Sequence, residues 1–407
     1  GFEEIYTSDM VLLPDLSATF IDPFLEKTLV IISNVWDPER EEFYEKDPRI
    51  IAKRAEDYLK KSGVADVCFW GPEVEFFVFD RVEFSVDRFY SYFKIKSSEF
   101  LADGEGDGYP IEKKQGYFPL PPYDKVHFFR SEMVKILLSL GIAVEVHHHE
   151  VASGGQVEID LHFDSLTKMA DKVMIYKYIA RNLAKKMGMT AVFLPKPLYD
   201  DNGSGMHTHQ SLFKNGKNLF YDKDGYGELS KLGLSYIAGI LYHIKPLLAL
   251  TNPTVNSYRR LVPHFEAPTR LAFSKRNRSA AVRIPVYYKN DEKSKRIEFR
   301  CPDPTANPYL AFSAMLIYGL EGIKKNLDPT KLGFGPFDEN IWEKDTVKQT
   351  AKDIFEVLTA LEKDEVLKES RVFSEEFLKS YINLKKEEAV RALMYPTPAD
   401  FWFYGDI

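Results

Sequence analysis

The stretch GPEVEFFVFD, residues 71–80, places two glutamates in a run that is otherwise apolar and aromatic. Read as a β-strand it alternates between two faces, so Glu73, Glu75, Phe77 and Phe79 share one and Val74, Phe76 and Val78 the other. Buried like charges are costly unless something cationic neutralises them, so the pair marks either a charged site or an exposed strand end. Upstream, Val64 to Trp70 reads as a buried strand. Before it, Asp47-Pro48 reads as an N-cap with proline at the first helical position, and Gly63 closes that helix. Downstream, residues 81–122, rich in aromatics, Gly and Pro, read as a long irregular excursion. Further strands are expected at about 142–149, 156–163, 189–194, 206–213, 280–287 and 295–301. Helices are expected at about 124–140, 166–187, 228–249, 308–326, 345–363 and 373–393, with residues 251–279 loop-like. Strands and helices mix without a strict βαβ rhythm. That predicts an α+β fold with a curved, mainly antiparallel sheet backed by helices.

Composition narrows the function. The 407 residues are 44% apolar and 28% charged, ordinary for a globular chain, which excludes disordered, collagen-like and coiled-coil classes. Lys and Arg number 54 against 61 Asp and Glu, a net charge of −7 that disfavours nucleic acid as the main partner. The longest uncharged stretch, residues 304–320, contains Pro, Asn and Thr, so no membrane span is expected. Two cysteines cannot build a disulfide scaffold, which fits a reducing, cytoplasmic setting. No secretory signal is visible, and the chain opens at Gly1 rather than Met.

Four more segments carry chemistry. In IAVEVHHHE, Glu145, His147 and His149 share a strand face and Glu150 follows. Three adjacent histidines cannot all point at one ion from a strand, which favours structural or supporting roles for them. Glu150 and Glu158 flank a Gly-Gly turn. In NGSGMHTHQS, a strand would aim His207, His209 and Ser211 into one space, while Gly203 and Gly205 let the backbone approach a ligand. In KRIEFR, Arg296, Glu298 and Arg300 share a face. Arg259, Arg260, Arg270, Arg276, Arg278 and Arg283 cluster within one short region of an acidic chain, pointing to a polyanionic ligand such as a nucleotide triphosphate. Hard oxygen donors favour Mg²⁺ or Mn²⁺ over zinc. Cations, arginines and a Gly-rich loop, without a Walker A motif, describe phosphoryl transfer by a metal-dependent, nucleotide-using enzyme.

These segments fall in order with others: SDMVLLPD at 8–15, GYFPLPP at 116–122, HHHEVASGGQVE at 147–158 and KPLYDDNGSGMHTHQSLF at 196–213. NSYRRLVPHFEAP at 256–268, SKRNRSAAVRIP at 274–285 and RIEFRCPDPTANPYLAF at 296–312 complete the set. Together they resemble the type I glutamine synthetases over nearly the whole chain. The resemblance implies the C-terminal part of a β-grasp domain at 1–46 and a large catalytic domain at 47–407. It implies ATP-dependent ligation of ammonia to L-glutamate, through γ-glutamyl phosphate, with two divalent ions. Glu75, Glu150 and Glu158 would hold one ion, and Glu73, His207 and Glu298 the other. Asn202, Gly203, Arg260 and Arg300 would hold glutamate. Glu145, His209, Ser211, Lys293 and Arg296 would contact ATP. Arg278 and Arg283 would neutralise the phosphate in flight, and Glu266 would sit on a flap over the acyl phosphate. The implied assembly is a dodecamer of two stacked hexameric rings with shared active sites, acting in nitrogen metabolism. A γ-glutamyl ligase for another amine stays open as a sister reading. A catalytically silent relative is disfavoured by six intact ligands. Three departures stand out. The family's Asp-Gly-Ser-Ser motif is absent, and the chain begins just after its place, so an N-terminally incomplete member is expected. His264 replaces a usual Gly on the flap. Trp342 stands where some bacterial members carry a modifiable Tyr, so no AMP attachment is expected there.

Overall fold

The computed structural model describes residues 9–100, 108–342 and 344–405. Ser8, which opens the SDMVLLPD stretch, residues 101–107 of the expected excursion, and Glu343 lie outside them. The chain is α+β, as its pattern of elements predicts.

The stretch GPEVEFFVFD breaks where the site needs it to. One strand runs Val67–Val74 and a second Phe76–Phe79, and they belong to different sheets. Glu75 lies between them. Its backbone N–H donates to the Gly205 carbonyl, and its carboxylate accepts from the Gly205 N–H, so the turn between sheets is fixed by the Gly-rich loop. The larger sheet runs in the order Asp164–Ser165, Val67–Val74, Met206–Lys214, Ile297–Phe299, Ala280–Ile284, Arg270–Lys275, antiparallel except for its last pair. The smaller runs Thr190–Val192, Phe76–Phe79, Gln156–Leu161, Val144–His149, all antiparallel.

Register builds the site. His207 lies opposite Glu73, His209 opposite Glu298 on its other side, and Arg283 opposite Glu298. In the smaller sheet His148 lies opposite Glu158. Directly opposed side chains stand close enough to interact, so pairing alone brings the charges together.

Helices cover the other face. Leu166–Lys186, Lys231–Tyr242, Ile244–Thr251 and Pro308–Lys324 supply most of the core, and Pro308 to Gly322 is buried at every position. That is why residues 304–320 carry no charge. The crossing of Lys231–Tyr242 over Pro308–Lys324 depends on small residues. A Cβ added at Gly239 would meet the Tyr318 carbonyl oxygen at 2.1 Å, and one at Gly322 the Ser235 carbonyl at 2.2 Å. No described helix is long and apolar enough to cross a membrane. The pair Lys231–Tyr242 and Ile244–Thr251 passes by length and composition only, is bent by 77° and is mostly buried.

The N-terminal residues form a separate three-stranded antiparallel sheet, Val11–Ile21, Leu29–Asp37 and Glu42–Phe43. Asp47 caps helix Pro48–Ser62 and also accepts from the Val35 N–H, tying that sheet to the helix. Buried Arg49 completes the junction, bonding Asp171 through two nitrogens at 2.9 Å, Asn34 at 2.7 Å and Asp15 at 2.9 Å.

Four expectations are corrected. The helix expected at 228–249 starts at Lys231 under a Ser230 cap and kinks at His243. The one expected at 345–363 starts only at Ile354, capped by Asp353. The residues before it pair with a sheet edge instead, through Leu271 N–H to Lys348 and Thr350 N–H to Thr269. The loop-like 251–279 contains helix Val255–Arg260 and strand Arg270–Lys275. The irregular excursion contains a hairpin, Arg81–Val86 with Ser91–Lys96.

Candidate active site

Two chambers open along the junction of the sheets and share one wall. The first is lined by carboxylates, Glu73, Glu75, Glu150, Glu158, Asp160 and Glu266, and by Arg260, Arg278, Arg283 and Arg300; Asn202, Gly203 and His207 close it. The second is lined by Glu145, His209, Ser211, Lys293 and Arg296. Its floor is aromatic: Phe69 packs against Phe163 and Phe213 with ring centroids 5.1 and 5.2 Å apart. Glu73, Asp160 and Tyr287 face both chambers. Every residue expected from the sequence to bind or catalyse lines one chamber or the other, except Glu298. That side chain is fully buried just behind the wall, between Arg283 and Arg300, the latter bond being 2.6 Å.

The carboxylates fall into two electrostatic classes. Burial opposes ionisation of Glu73, but His209 and His207 offset it and hold the group well below the usual carboxylate range. Their nitrogens lie 2.8 and 3.0 Å from its oxygens. Burial opposes Glu298 too, yet Arg300 and Arg283 bring it to about 2. Glu150, Glu158 and Asp160 behave oppositely. Burial first, then repulsion from neighbouring carboxylates, Glu73 and Glu75 among them, pushes all three well above the ordinary range. His148 is the neighbour of two of them, 3.2 Å from Glu158 and 3.6 Å from Glu150. Burial and Arg300 depress His207 to about 4, which keeps its imidazole neutral.

This donor set fits divalent cations. Among the described residues, three groups have ligand atoms within 4.8 Å of one another: Glu73, His209 and Glu298; His148, Glu150 and Glu158; Glu73, Glu158 and Asp160. The buried Asp160 Oδ1 has no hydrogen-bond partner. Oxygen-rich sets of this kind suit hard ions. The grouping differs from the one expected, since His209 and His148 stand in the clusters where His207 and Glu75 were named. Glu75 is turned toward the Gly205 N–H at 2.8 Å and the Gln156 amide at 3.1 Å.

The raised carboxylates set a pH dependence. A carboxyl whose folded pKa is raised stabilises the fold below its unfolded pKa, and that contribution is lost as pH climbs through the folded value. Cation binding expels those protons, so apparent affinity rises with pH. His207, already neutral above about 4, does not oppose this near neutrality. The gap in Tm between magnesium-loaded and EDTA-treated protein is therefore expected to widen from pH 6 to pH 8. A gap that is flat or narrows over that range contradicts the cation reading.

Sequence reasoning passed over Asp160, Gln156, Tyr117, Phe265 and Tyr287, all placed at or beside the chambers. Asp160 was findable, since it lies two residues beyond Glu158 on one strand face. Tyr117 and Phe265 sit in irregular segments with no periodic signal, and Tyr287 lies beyond the end of the strand Ala280–Ile284, which is shorter than the 280–287 expected.

A carboxylate and arginine chamber joined to an aromatic-floored one defines a metal-using, nucleotide-dependent enzyme. The model of the glutamine synthetase catalytic domain matches residues 45–404. Over the whole chain the protein is 49% identical to glutamine synthetase of Aquifex aeolicus (strain VF5), covering 87% of it. It is 46% identical to that of Escherichia coli (strain K12), covering 88%. The solved glutamine synthetase of Plasmodium falciparum superposes with a TM-score of 0.89 at 31% identity, over 99% of this chain and 87% of that one. The chain belongs to the glutamine synthetase family and is type I-like. It is a ligase that makes glutamine from glutamate and ammonia at the expense of ATP, with divalent metal.

Proposed function

We propose that the two chambers divide the substrates, with the triphosphate lying across the shared wall. The observation that carries this is that wall itself: Glu73 and Asp160 offer oxygen donors to both sides at once. ATP takes the second chamber, its base on the aromatic floor, with Glu145, His209, Ser211, Lys293 and Arg296 around it. L-glutamate takes the first, held by Asn202, Gly203, Arg260 and Arg300. Two ions, Mg²⁺ or Mn²⁺, belong to Glu75, Glu150 and Glu158 on one side and Glu73, His207 and Glu298 on the other, with His148 and His209 as near neighbours. When bound, they would neutralise charge on the triphosphate. Arg278 and Arg283 neutralise the transferred phosphoryl group, giving γ-glutamyl phosphate. Glu266, on the flap, takes the proton that ammonium must lose.

The division predicts separable kinetics. A hydrogen bond to a charged group is worth about 1.5–3 kcal/mol, roughly ten- to a hundredfold in affinity. Arg296→Ala is expected to raise the KM for ATP by roughly that factor with the KM for glutamate unchanged. Asn202→Ala is expected to do the reverse. Equal shifts of both constants in either variant refute the assignment.

The same reading makes residues 1–46 the C-terminal part of a β-grasp domain and places the enzyme in the cytoplasm, in keeping with two buried, unbridged cysteines. It also makes the chain one subunit of a dodecamer of two hexameric rings with shared sites. Supporting that are large exposed apolar side chains in three places: Leu16 in the N-terminal sheet, Phe89 (89% exposed) in the hairpin and Trp402 (84%) in helix Pro398–Tyr404. Such surfaces mark association, and sedimentation of the intact protein reads the mass directly.

A further inference from the structure

The flap that carries Glu266 is touched from within the first chamber by Arg300, which donates to the Glu266 carbonyl at 3.5 Å, and by Arg278 at 3.9 Å, and it is also held from outside the two chambers. Glu266 and His264 both have positive φ, 56° and 72°, a region that residues with side chains keep only when neighbours enforce it. Some of the enforcement comes from beside the site. Lys114 donates to the His264 carbonyl at 3.2 Å, and the ammonium groups of Lys114 and Lys196 stand 4.1 and 3.8 Å from the Phe265 ring centroid. A further hold comes from Trp342. Its indole N–H donates to the Ala267 carbonyl at 3.2 Å, one residue beyond Glu266, and its ring meets the His264 imidazole edge-on at 6.3 Å.

Trp342 is itself anchored. The buried Arg270 guanidinium donates to the Trp342 carbonyl through Nε at 3.1 Å and Nη2 at 2.9 Å, and to the Val347 carbonyl at 3.0 Å. The preceding Ile341 is fully buried. The backbone of this loop is fixed to the strand edge, and the indole spans the gap from there to the flap.

We infer that Trp342 is a positioning residue, whose indole latches the flap with Glu266 over the first chamber. The inference rests on the role proposed for Glu266. Its consequence is chemical. Transfer of the γ-phosphoryl group from ATP to glutamate yields ADP and γ-glutamyl phosphate. Ammonia, once its ammonium form has lost a proton, attacks the acyl carbon, the C–O bond to phosphate breaks, and glutamine and phosphate leave. If water attacks instead, glutamate and phosphate are returned and the ATP is wasted. A latched flap keeps water out, so one phosphate is released per glutamine.

The test measures phosphate and glutamine in the same reaction, at saturating ammonium, for the parent, Trp342→Phe, Trp342→Ala and Glu266→Gln. In Trp342→Ala the phosphate-to-glutamine ratio is expected to rise from one to two or more. Its kcat for glutamine falls about five- to tenfold and its KM for ATP changes less than twofold. Trp342→Phe, which keeps a ring but lacks the N–H donor, falls between the two. A structural defect alone would not alter the ratio. If Trp342→Ala does not fold, Trp342→Phe decides by the same readout. A ratio of one and parental kcat in the Trp342 variants, with Glu266→Gln slow, overturns the latch and leaves the role of Glu266 standing. Parental activity in Glu266→Gln overturns that role, and the latch falls with it for want of a group to hold.

Discussion

Glu266→Ala is expected to bind ATP as the parent does and to form glutamine about 10²–10⁴-fold more slowly, the range a general base contributes. The carboxylate lines the first chamber and is absent from the second, so on the division of substrates proposed above the contacts to the nucleotide's base stay as they are. Its charged neighbour Arg278 is 3.9 Å away, too far for a tight bond, and the side chain is 39% exposed. It faces Glu150 closely enough to raise that group further. A loosely paired carboxylate beside other acids is suited to attracting ammonium and taking its proton. Titration calorimetry with ATP and a glutamine assay separate the two effects. Glutamine formed at the parental rate sinks the assignment.

The second large effect is on stability. Glu298→Ala is expected to cost about 3–5 kcal/mol, the usual consequence of removing one member of a buried ion cluster. Glu298 is wholly buried and holds both Arg283 and Arg300, the latter 4% exposed. Without it, both guanidinium groups lose the carboxylate that holds them. The sign with pH is set by the carboxyl, lowered from 4.5 to about 2. The stability it lends is complete above about 4.5 and is lost only as pH falls toward about 2. Denaturant midpoints at pH 7 and at pH 3 should thus show the variant's deficit shrinking on acidification. A deficit that is absent at pH 7, or that grows with acid, contradicts this account.

What could be read in advance followed from period two. Glu73, His207, His209 and Glu298 announced themselves because charge on alternate strand positions is conspicuous in an apolar run. What could not be read was register. Nothing local says that His207 meets Glu73 or that His209 lies between Gly71 and Glu298, because pairing is decided by the whole sheet. The grouping of cation donors depends on that register, and there the expected sets and the observed clusters diverge. The break at Glu75 was hidden for a related reason, since the pattern continues unchanged through the switch of sheets. In residues 345–353 a helical pattern lost to hydrogen bonds offered by a distant strand edge. The hairpin at 81–96 was visible in the alternation of Val82, Phe84 and Val86, but the Gly- and Pro-rich residues around it obscured the signal.

The wall common to the two chambers has a consequence for how inhibitors of this enzyme should be measured. Glu73 and Asp160 present the same few oxygens to whatever lies on either side, so filling one side alters the charge met on the other. By thermodynamic linkage that influence is mutual and equal in free energy. On the division of substrates proposed above, a dissociation constant for a glutamate analogue is expected to vary with nucleotide concentration, and the reverse by the same factor. Two compounds ranked in the absence of nucleotide can exchange places in its presence, and a single molecule long enough to cross the wall would collect a coupling that neither half possesses alone.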